Sequence, residues 1–206
     1  MSSKLENENY SIANVAHAAN VTRWHSVRCL RHPSVAEHSF LVTMYAEYLA
    51  KVIDPDMSEK DQLLLVRKCL WHDMAEVSTG DMSTPLKRYL ESLFPDQMSP
   101  IEMLERKICK PYADLADQTA DTHLGIITKL ADIMEAIHHI NNEGVGKAAR
   151  RIYRERTNSF SAYIKKGLQM WPQYNWLAAQ DVLDSLLNDE PKQIDFEEIL
   201  EGFRPS

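Results

Sequence analysis

The sequence has few of the residues that mark secreted, membrane-spanning or β-rich proteins. Only three cysteines and six glycines occur among its 206 residues. Cys29, Cys69 and Cys109 have no C-x-x-C spacing, so we expect free, mostly buried thiols rather than a zinc knuckle or a disulfide framework. No stretch approaches about 18 consecutive apolar residues, and the polar N-terminus lacks the apolar segment of a secretory signal. These absences predict a cytoplasmic protein that does not bind a membrane.

An excess of positive charge is also lacking. The formal net charge is −7, which opposes binding to a nucleic-acid backbone, because that binding depends on clustered Lys and Arg. We therefore expect no nucleic-acid polymer as a partner. Residues 23–32 run against this balance, since they hold three Arg and two His. An isolated basic segment in an acidic protein favours a small anion over a long one.

The alternating apolar and polar pattern of β-strands is nearly absent, while helix signals recur along the whole chain. Hydrophobic residues make up 44% and charged residues 26% of the sequence, which excludes a disordered or fibrous class. The length suits one domain. The sequence therefore predicts an all-α fold, a compact single-domain bundle of about eight helices formed by residues 1–206.

Capping residues and helix breakers set the predicted boundaries. Ser34 followed by Glu37 forms a capping box that begins a helix ending near residue 53, and Ser58 with Asp61 begins a second helix that ends near residue 77. Gly80 breaks the next stretch, so residues 77–84 are expected to form a loop. Further helices are predicted over residues 86–90, 99–112, 123–142, 145–170 and 176–188, with a short one in the tail from residue 191.

Two histidines and two aspartates are candidate ligands for a metal ion. They are His38, the adjacent pair His72 and Asp73, and Asp132. Two imidazoles and two carboxylates suffice to hold one divalent ion, and this donor set leaves Mn²⁺, Co²⁺, Fe²⁺, Zn²⁺ and Mg²⁺ open. An ion with free coordination positions activates water and polarises a phosphoryl oxygen, so the pattern predicts hydrolysis of a phosphate ester.

Each of these residues also has a purely structural interpretation. His38 lies on the inward face of its predicted helix, where a lone histidine is more often a hydrogen-bonded core residue. The alternative for the group near the end of the next helix, His72, Asp73 and Glu76, is an exposed charged helix end. The alternative for Asp132 is a position on a solvated helix face. Three ionisable groups in one apolar turn are costly to bury unless they are paired or metal-bound, which favours the metal set.

The order of these motifs resembles that of the HD-domain metal-dependent phosphohydrolases over residues 18–142. The motifs that carry the resemblance are Arg23-Trp24, Val35-Ala36-Glu37-His38-Ser39, His72-Asp73-Met74-Ala75-Glu76, Thr79-Gly80-Asp81, Thr84-Pro85-Leu86-Lys87 and Ala131-Asp132. Together they are similar to the 5′-deoxynucleotidase branch of bacteria and phages. The resemblance implies an HD-domain core at about residues 18–142, with C-terminal helices over residues 145–203 packed on it.

The same resemblance implies roles for particular side chains around one divalent ion. His38, His72, Asp73 and Asp132 would hold the ion. Asp73 would also count among the catalytic residues with Glu76, which orients or deprotonates the attacking water.

The resemblance also implies contacts with the substrate. Arg23 would bind the phosphate, Trp24 would pack where a ribose 2′-hydroxyl would lie, and Asp81 would bond the sugar 3′-hydroxyl. Thr84 and Lys87 are expected to be further phosphate contacts at a helix start. Three of these residues have an alternative interpretation: Trp24 as an ordinary core residue, Asp81 as a turn former and Lys87 as a solvated helix residue.

These expectations lead to a 5′-deoxynucleotidase that converts a dNMP into a deoxynucleoside and phosphate. The alternative is a dNTP triphosphohydrolase, for example a phage dATPase that releases triphosphate. Ser26 is small and offers no bulk for strict base selection, which inclines the prediction toward broad specificity and the monophosphate. A non-catalytic nucleotide-binding or scaffold protein is a third alternative, disfavoured because the ligand set is complete.

The family resemblance further implies a homodimer or a larger homo-oligomer, in the bacterial cytoplasm or, for a phage gene, that of the host. The helices after residue 142 contain large apolar side chains that suit either an interface between copies or the core of one chain. They are Phe160, Tyr163, Leu168 and Trp171.

Overall fold

The computed structural model describes residues 10–94, 98–189 and 191–192, and this part of the chain is all-α, as predicted. The β-structure of this part of the chain consists of two isolated antiparallel bridges, between Thr22 and Ser34 and between Cys29 and Gly144. The α-helices are α1 (Ile12–His17), α2 (Val35–Ile53), α3 (Glu59–Trp71), α4 (Glu76–Thr79), α5 (Thr84–Ser92), α6 (Pro100–Ile108), α7 (Lys110–Thr119), α8 (Leu124–Glu143), α9 (Gly146–Met170) and α10 (Ala178–Asn188). The helix expected in the tail from residue 191 lies outside the described residues.

The predicted helix that begins at Ser58 is shorter than expected. It ends at Trp71, and His72 is its C-cap. Nδ1 of His72 lies 2.7 Å from the carbonyl oxygen of Cys69, so the side chain competes for a carbonyl near the helix end. The next residues form turns with i to i−3 bonds, such as Glu76 N–H to the Asp73 carbonyl at 2.9 Å. His72 and Asp73 therefore lie on a tight turn rather than within a helix.

The helix predicted over residues 99–112 is also interrupted. α6 ends at Ile108, Cys109 has extended backbone angles (φ −121°, ψ 92°), and α7 begins at Lys110. Pro111 explains the break, because its ring has no N–H and clashes with the carbonyl four residues earlier in a continuous helix. At the N-terminal end of a new helix the same proline is well tolerated.

The core lies between α2 and α8, with α3, α9 and α10 packed around them. Large side chains that are almost completely buried there include Leu49, Ile127, Leu130 and Ile137. This packing brings one face of α2 against one face of α8. The polar residues of those two faces consequently meet inside the protein.

The apolar residues after residue 142 mostly close this core. Phe160 is fully buried, and Tyr163 and Trp171 pack against the same cluster, whereas Leu168 is 37% exposed. Cys69 and Cys109 are buried free thiols and Cys29 is a half-buried one, as expected. Of the described helices, none combines the length and the apolar character needed to cross a membrane.

Candidate metal centre

The turn after α3 faces the inner sides of α2 and α8, and three of the four predicted metal ligands converge there. Nε2 of His38 lies 3.1 Å from Nε2 of His72 and 3.3 Å from Oδ2 of Asp73. The His72 nitrogen is 3.4 Å from the same oxygen. The structure thus forms a His-His-Asp cluster in which one nitrogen or oxygen atom of each side chain points at a shared space.

The hydrogen bonds of the two imidazoles suit a metal ion. Nδ1 of His38 lies 2.8 Å from Oε2 of Glu135, and Nδ1 of His72 lies 2.7 Å from the Cys69 carbonyl oxygen. Both partners accept a hydrogen bond, so both Nδ1 atoms carry a proton and Nε2 is the ring nitrogen that each histidine has left to bind an ion. The two Nε2 atoms are 3.1 Å apart, a distance at which a shared proton or a metal ion bound by both relieves the repulsion of their lone pairs. The donor set therefore fits a divalent ion.

Asp132 lies beside this cluster but is oriented by its own helix. Its Oδ1 is 3.5 Å from Nε2 of His38, while Oδ2 accepts a hydrogen bond of 2.6 Å from Lys129. Burial raises the pKa of Asp132, but Lys129 and His38 lower it more strongly, so the pKa lies below its usual range. The residue is a carboxylate at the edge of the cluster, and it lies outside the group of His38, His72 and Asp73, whose ligand atoms are all within 4.8 Å of one another.

Electrostatics of the cluster favour bound positive charge. Burial and Arg23 lower the pKa of His38, whereas Glu135 and Asp73 outweigh them and raise it to about 9. Burial raises the pKa of Asp73, but His72 and Arg23 hold it well below its ordinary value. The carboxylates thus stay ionised around the two imidazoles.

Glu76 is a buried carboxyl group that shares the Arg23 guanidinium with Asp73. It is 1% exposed, and its two oxygens accept hydrogen bonds of 2.9 Å from Arg23 and from Lys87. Burial and Asp73 raise its pKa and the two cations lower it, with a net rise to about 7. A carboxyl group with a pKa near neutrality is well matched to general acid–base work.

Arg23 connects this carboxylate with the cluster. Its Nη1 donates to Asp73 and Glu76 and lies 3.8 Å from Asp81, while its Nε has no partner among the described residues. The backbone N–H of Arg23 donates to the Pro33 carbonyl at 2.9 Å, which anchors the loop. The guanidinium thus lies directly beside the predicted metal ligand Asp73.

Trp24 and Asp81 are held together next to Arg23. Trp24 has a left-handed backbone conformation (φ 65°), and its backbone N–H donates to Oδ2 of Asp81 at 3.0 Å. The indole stacks on the His139 ring with 5.8 Å between ring centroids. Nε1 of Trp24 and Nε2 of His139 are both buried without a described partner. The stacked pair of rings therefore has two ring nitrogens that could still form hydrogen bonds.

Thr84 and Lys87 flank the site from α5. Lys87 reaches Glu76 at 2.9 Å and Glu105 at 3.7 Å. The Thr84 hydroxyl accepts a hydrogen bond of 2.5 Å from Arg156 of α9. The helix that was predicted from the Thr84-Pro85 pair is present, although it is somewhat longer than expected.

Glu135 is a site residue that the sequence reasoning missed. It is 2% exposed and bonds His38 at 2.8 Å, so it sets the tautomer and orientation of that imidazole. Its signal in the sequence is its spacing, because it follows Asp132 by three residues and shares its helix face. A carboxylate behind a ligand histidine also makes the ring a stronger donor.

The effect of Glu135 is measurable by metal titration. We expect Glu135→Gln to weaken divalent-metal binding by about 10- to 100-fold, because an amide oxygen replaces the carboxylate at Nδ1 of His38. Glu91→Gln, at an exposed position of α5, is the matched control and should leave the dissociation constant unchanged. Equal affinities for the wild type and Glu135→Gln would contradict this role.

Comparison with known proteins agrees with the geometry. A model of the YfbR-like 5′-deoxynucleotidase family matches residues 11–171. The chain belongs to this family. The resemblance expected from the sequence motifs is thereby confirmed, and a hydrolase is supported.

Two curated relatives illustrate the range of the family. The chain is 29% identical to the dATP triphosphohydrolase of Acinetobacter phage SH-Ab 15497 over 203 residues, which are 93% of this chain and 98% of that protein. It is also 29% identical to a 5′-deoxynucleotidase of Pectobacterium atrosepticum over 125 residues, which are 55% of this chain and 61% of that protein. The names of these two relatives thus correspond to the two reactions considered for this chain.

A solved structure supports the fold. The HD phosphohydrolase DatZ of cyanophage S-2L, bound to dA and one catalytic Zn²⁺ ion, superposes with a TM-score of 0.70. The match covers 86% of this chain and 94% of DatZ at 21% identity. This likeness confirms the HD-domain fold.

Proposed function

We propose that this protein hydrolyses the phosphate ester of deoxyribonucleotides with the help of one divalent metal ion. The observation that carries the proposal is the convergence of His38, His72 and Asp73 beside a buried Glu76. Asp132 is proposed as the fourth ligand. Mixed imidazole and carboxylate donors favour Zn²⁺, Mn²⁺, Co²⁺ or Fe²⁺ over Mg²⁺.

The proposed roles follow from the contacts of each side chain. A bound divalent ion would offset negative charge on the phosphoryl group and make water more acidic. Glu76 accepts the proton of the attacking water through an oxygen held by Arg23 or Lys87. Arg23, whose guanidinium has donors to spare, binds the phosphoryl oxygens as their charge is redistributed.

We propose that Trp24 and Asp81 recognise the deoxyribose. Their mutual hydrogen bond of 3.0 Å fixes the indole and the carboxylate relative to each other. Trp24 would fill the space of a ribose 2′-hydroxyl, and Asp81 would accept a hydrogen bond from the 3′-hydroxyl. A rigid ring rejects an added hydroxyl because that group would clash or lose its hydrogen bonds.

Two reactions at this site break the same kind of bond. In a dNMP, water attacks the phosphorus, the bond from phosphorus to O5′ breaks, and O5′ leaves with a proton. In a dNTP, the same attack at the α-phosphorus releases the deoxynucleoside and triphosphate. The first reaction fits the family name, and the second is favoured by a phage relative that matches over 98% of its length.

A product assay tests the proposal. The purified protein would be incubated with the common dNMPs, dNTPs and their ribose counterparts in the presence of Zn²⁺, Mn²⁺, Co²⁺ or Mg²⁺. We expect a free deoxynucleoside together with phosphate or triphosphate, and much slower turnover of the ribonucleotides. Absence of turnover of every deoxynucleotide with each of these ions would overturn the proposed function.

We propose that the protein acts as a homodimer or a larger homo-oligomer. The support within this chain is a row of apolar side chains on α2, where Phe40 and Tyr48 are each 60% exposed and Met44 is 38% exposed. Monomeric proteins rarely expose large contiguous apolar patches. The mass in solution, measured by sedimentation, distinguishes the assemblies.

A further inference from the structure

Arg156 is a half-buried residue on the side of α9 that faces the core, in contrast to the exposed arginines of that helix. Its neighbours at helical spacing are Tyr153, three residues before it, and Phe160, four residues after it. Phe160 is fully buried, and Tyr153 packs against the core. Arginine side chains are mostly exposed in proteins, so a half-buried guanidinium next to the core favours a specific partner.

The described partner of Arg156 is neutral. One Nη atom donates to the Thr84 hydroxyl at 2.5 Å. Among the residues that the structure describes, no carboxylate lies within the 4.0 Å of a salt bridge to this guanidinium. Arginine has five N–H donors and a permanent charge, so most of its capacity to bind an anion is unused.

The other cations of the site differ from Arg156 in this respect. Arg23 contacts the carboxylates of Asp73 and Glu76. Lys87 contacts Glu76 and lies near Glu105. A carboxylate therefore offsets each of these two charges, whereas none of the described carboxylates contacts Arg156.

Arg156 lies near the predicted metal centre because it contacts α5, the helix that also carries Lys87. Thr84 and Lys87 are three residues apart on α5, so they lie on the same side of that helix. Lys87 points inward to Glu76, and Arg156 contacts the helix at its first residue. Arg23 contacts Asp73, Lys87 contacts Glu76, and Arg156 contacts Thr84 one helical turn before Lys87, so the three cations lie on neighbouring parts of the site.

We propose that Arg156 binds the β- and γ-phosphates of a deoxynucleoside triphosphate whose α-phosphate lies at the predicted metal ligands. This inference rests on the proposed function and selects its second reaction. A monophosphate has no group that extends beyond Arg23, so it would leave the charge of Arg156 without a counterpart. A triphosphate supplies further negative oxygens for its unused donors.

Steady-state kinetics of Arg156→Gln test this inference. We expect KM for a dNTP to rise by about 10- to 100-fold, as for the loss of one charge-assisted hydrogen bond, with little change for a dNMP. Inhibition by inorganic tripolyphosphate should weaken by a similar factor, whereas inhibition by orthophosphate should not. Arg156→Lys keeps the charge and should recover part of the loss.

The matched control is Arg154→Gln. Arg154 is exposed on the same helix and two residues away, so it points to a different side, and its replacement removes the same charge without this effect. Thermal unfolding of each variant identifies any loss of folded protein.

The outcomes separate this inference from the proposed function. Wild-type turnover of dNMPs with none of dNTPs would overturn the role of Arg156 and leave the proposed function standing. If Arg156→Gln loses activity equally toward dNMPs and dNTPs, Arg156 serves only to hold α9 against α5, and its proposed role in binding phosphate is overturned. If no nucleotide is turned over, the proposed function fails, and calorimetry with tripolyphosphate still decides whether Arg156 binds polyphosphate.

Discussion

Replacing His72 by alanine is expected to abolish metal binding and turnover together. The two Nε2 atoms of His38 and His72 lie 3.1 Å apart and face the same space, so removal of one leaves an ion with fewer of its preferred nitrogen donors. The several kcal/mol that a metal ion contributes to phosphoryl chemistry correspond to a loss of about 10³-fold or more in kcat/KM. Asp73→Ala should behave similarly.

Metal content and kinetics measured on the same preparations check this prediction. His17→Ala is the control, because His17 is an exposed histidine of α1, and it should change neither quantity. Circular dichroism establishes whether the variants are folded. Full activity with the wild-type metal content in His72→Ala would remove the metal model altogether.

Replacing Glu76 by glutamine should separate catalysis from metal binding. Glutamine keeps the size of the side chain and one acceptor oxygen, but its amide does not take up a proton. We expect kcat to fall by about 10²- to 10⁴-fold, the usual contribution of general acid–base catalysis. Metal affinity should stay close to that of the wild type, since Glu76 contacts Arg23 and Lys87 rather than the imidazoles.

Glu105→Gln is the matched control for this experiment. Glu105 also faces Lys87, at 3.7 Å, so its replacement removes a negative charge next to the same cation. Its kcat should stay within a few-fold of the wild-type value if proton transfer, rather than the charge balance around Lys87, is the role of Glu76. Undiminished kcat in Glu76→Gln would assign the proton transfer to another group.

Local sequence signals predicted much of this fold because helix ends depend on neighbouring residues. The capping box of Ser34 and Glu37 is present as expected, with the Ser34 hydroxyl accepting from the Glu37 backbone and the Glu37 carboxylate accepting in return. The breaks at His72 and Cys109 were missed. The break at His72 depends on a side chain that hydrogen-bonds to a backbone carbonyl oxygen. The break at Cys109 depends on the position of Pro111 at the start of a new helix.

Residue identity, spacing and helical periodicity were enough to predict the all-α class and the family, and they also named the candidate ligands. Which side chains meet depends instead on the packing of the helices. Periodicity showed that Glu135 and Arg156 lie on particular helix faces, but not that one faces His38 and the other Thr84. Contacts between residues 72 or more positions apart depend on how the helices pack, which no local pattern encodes.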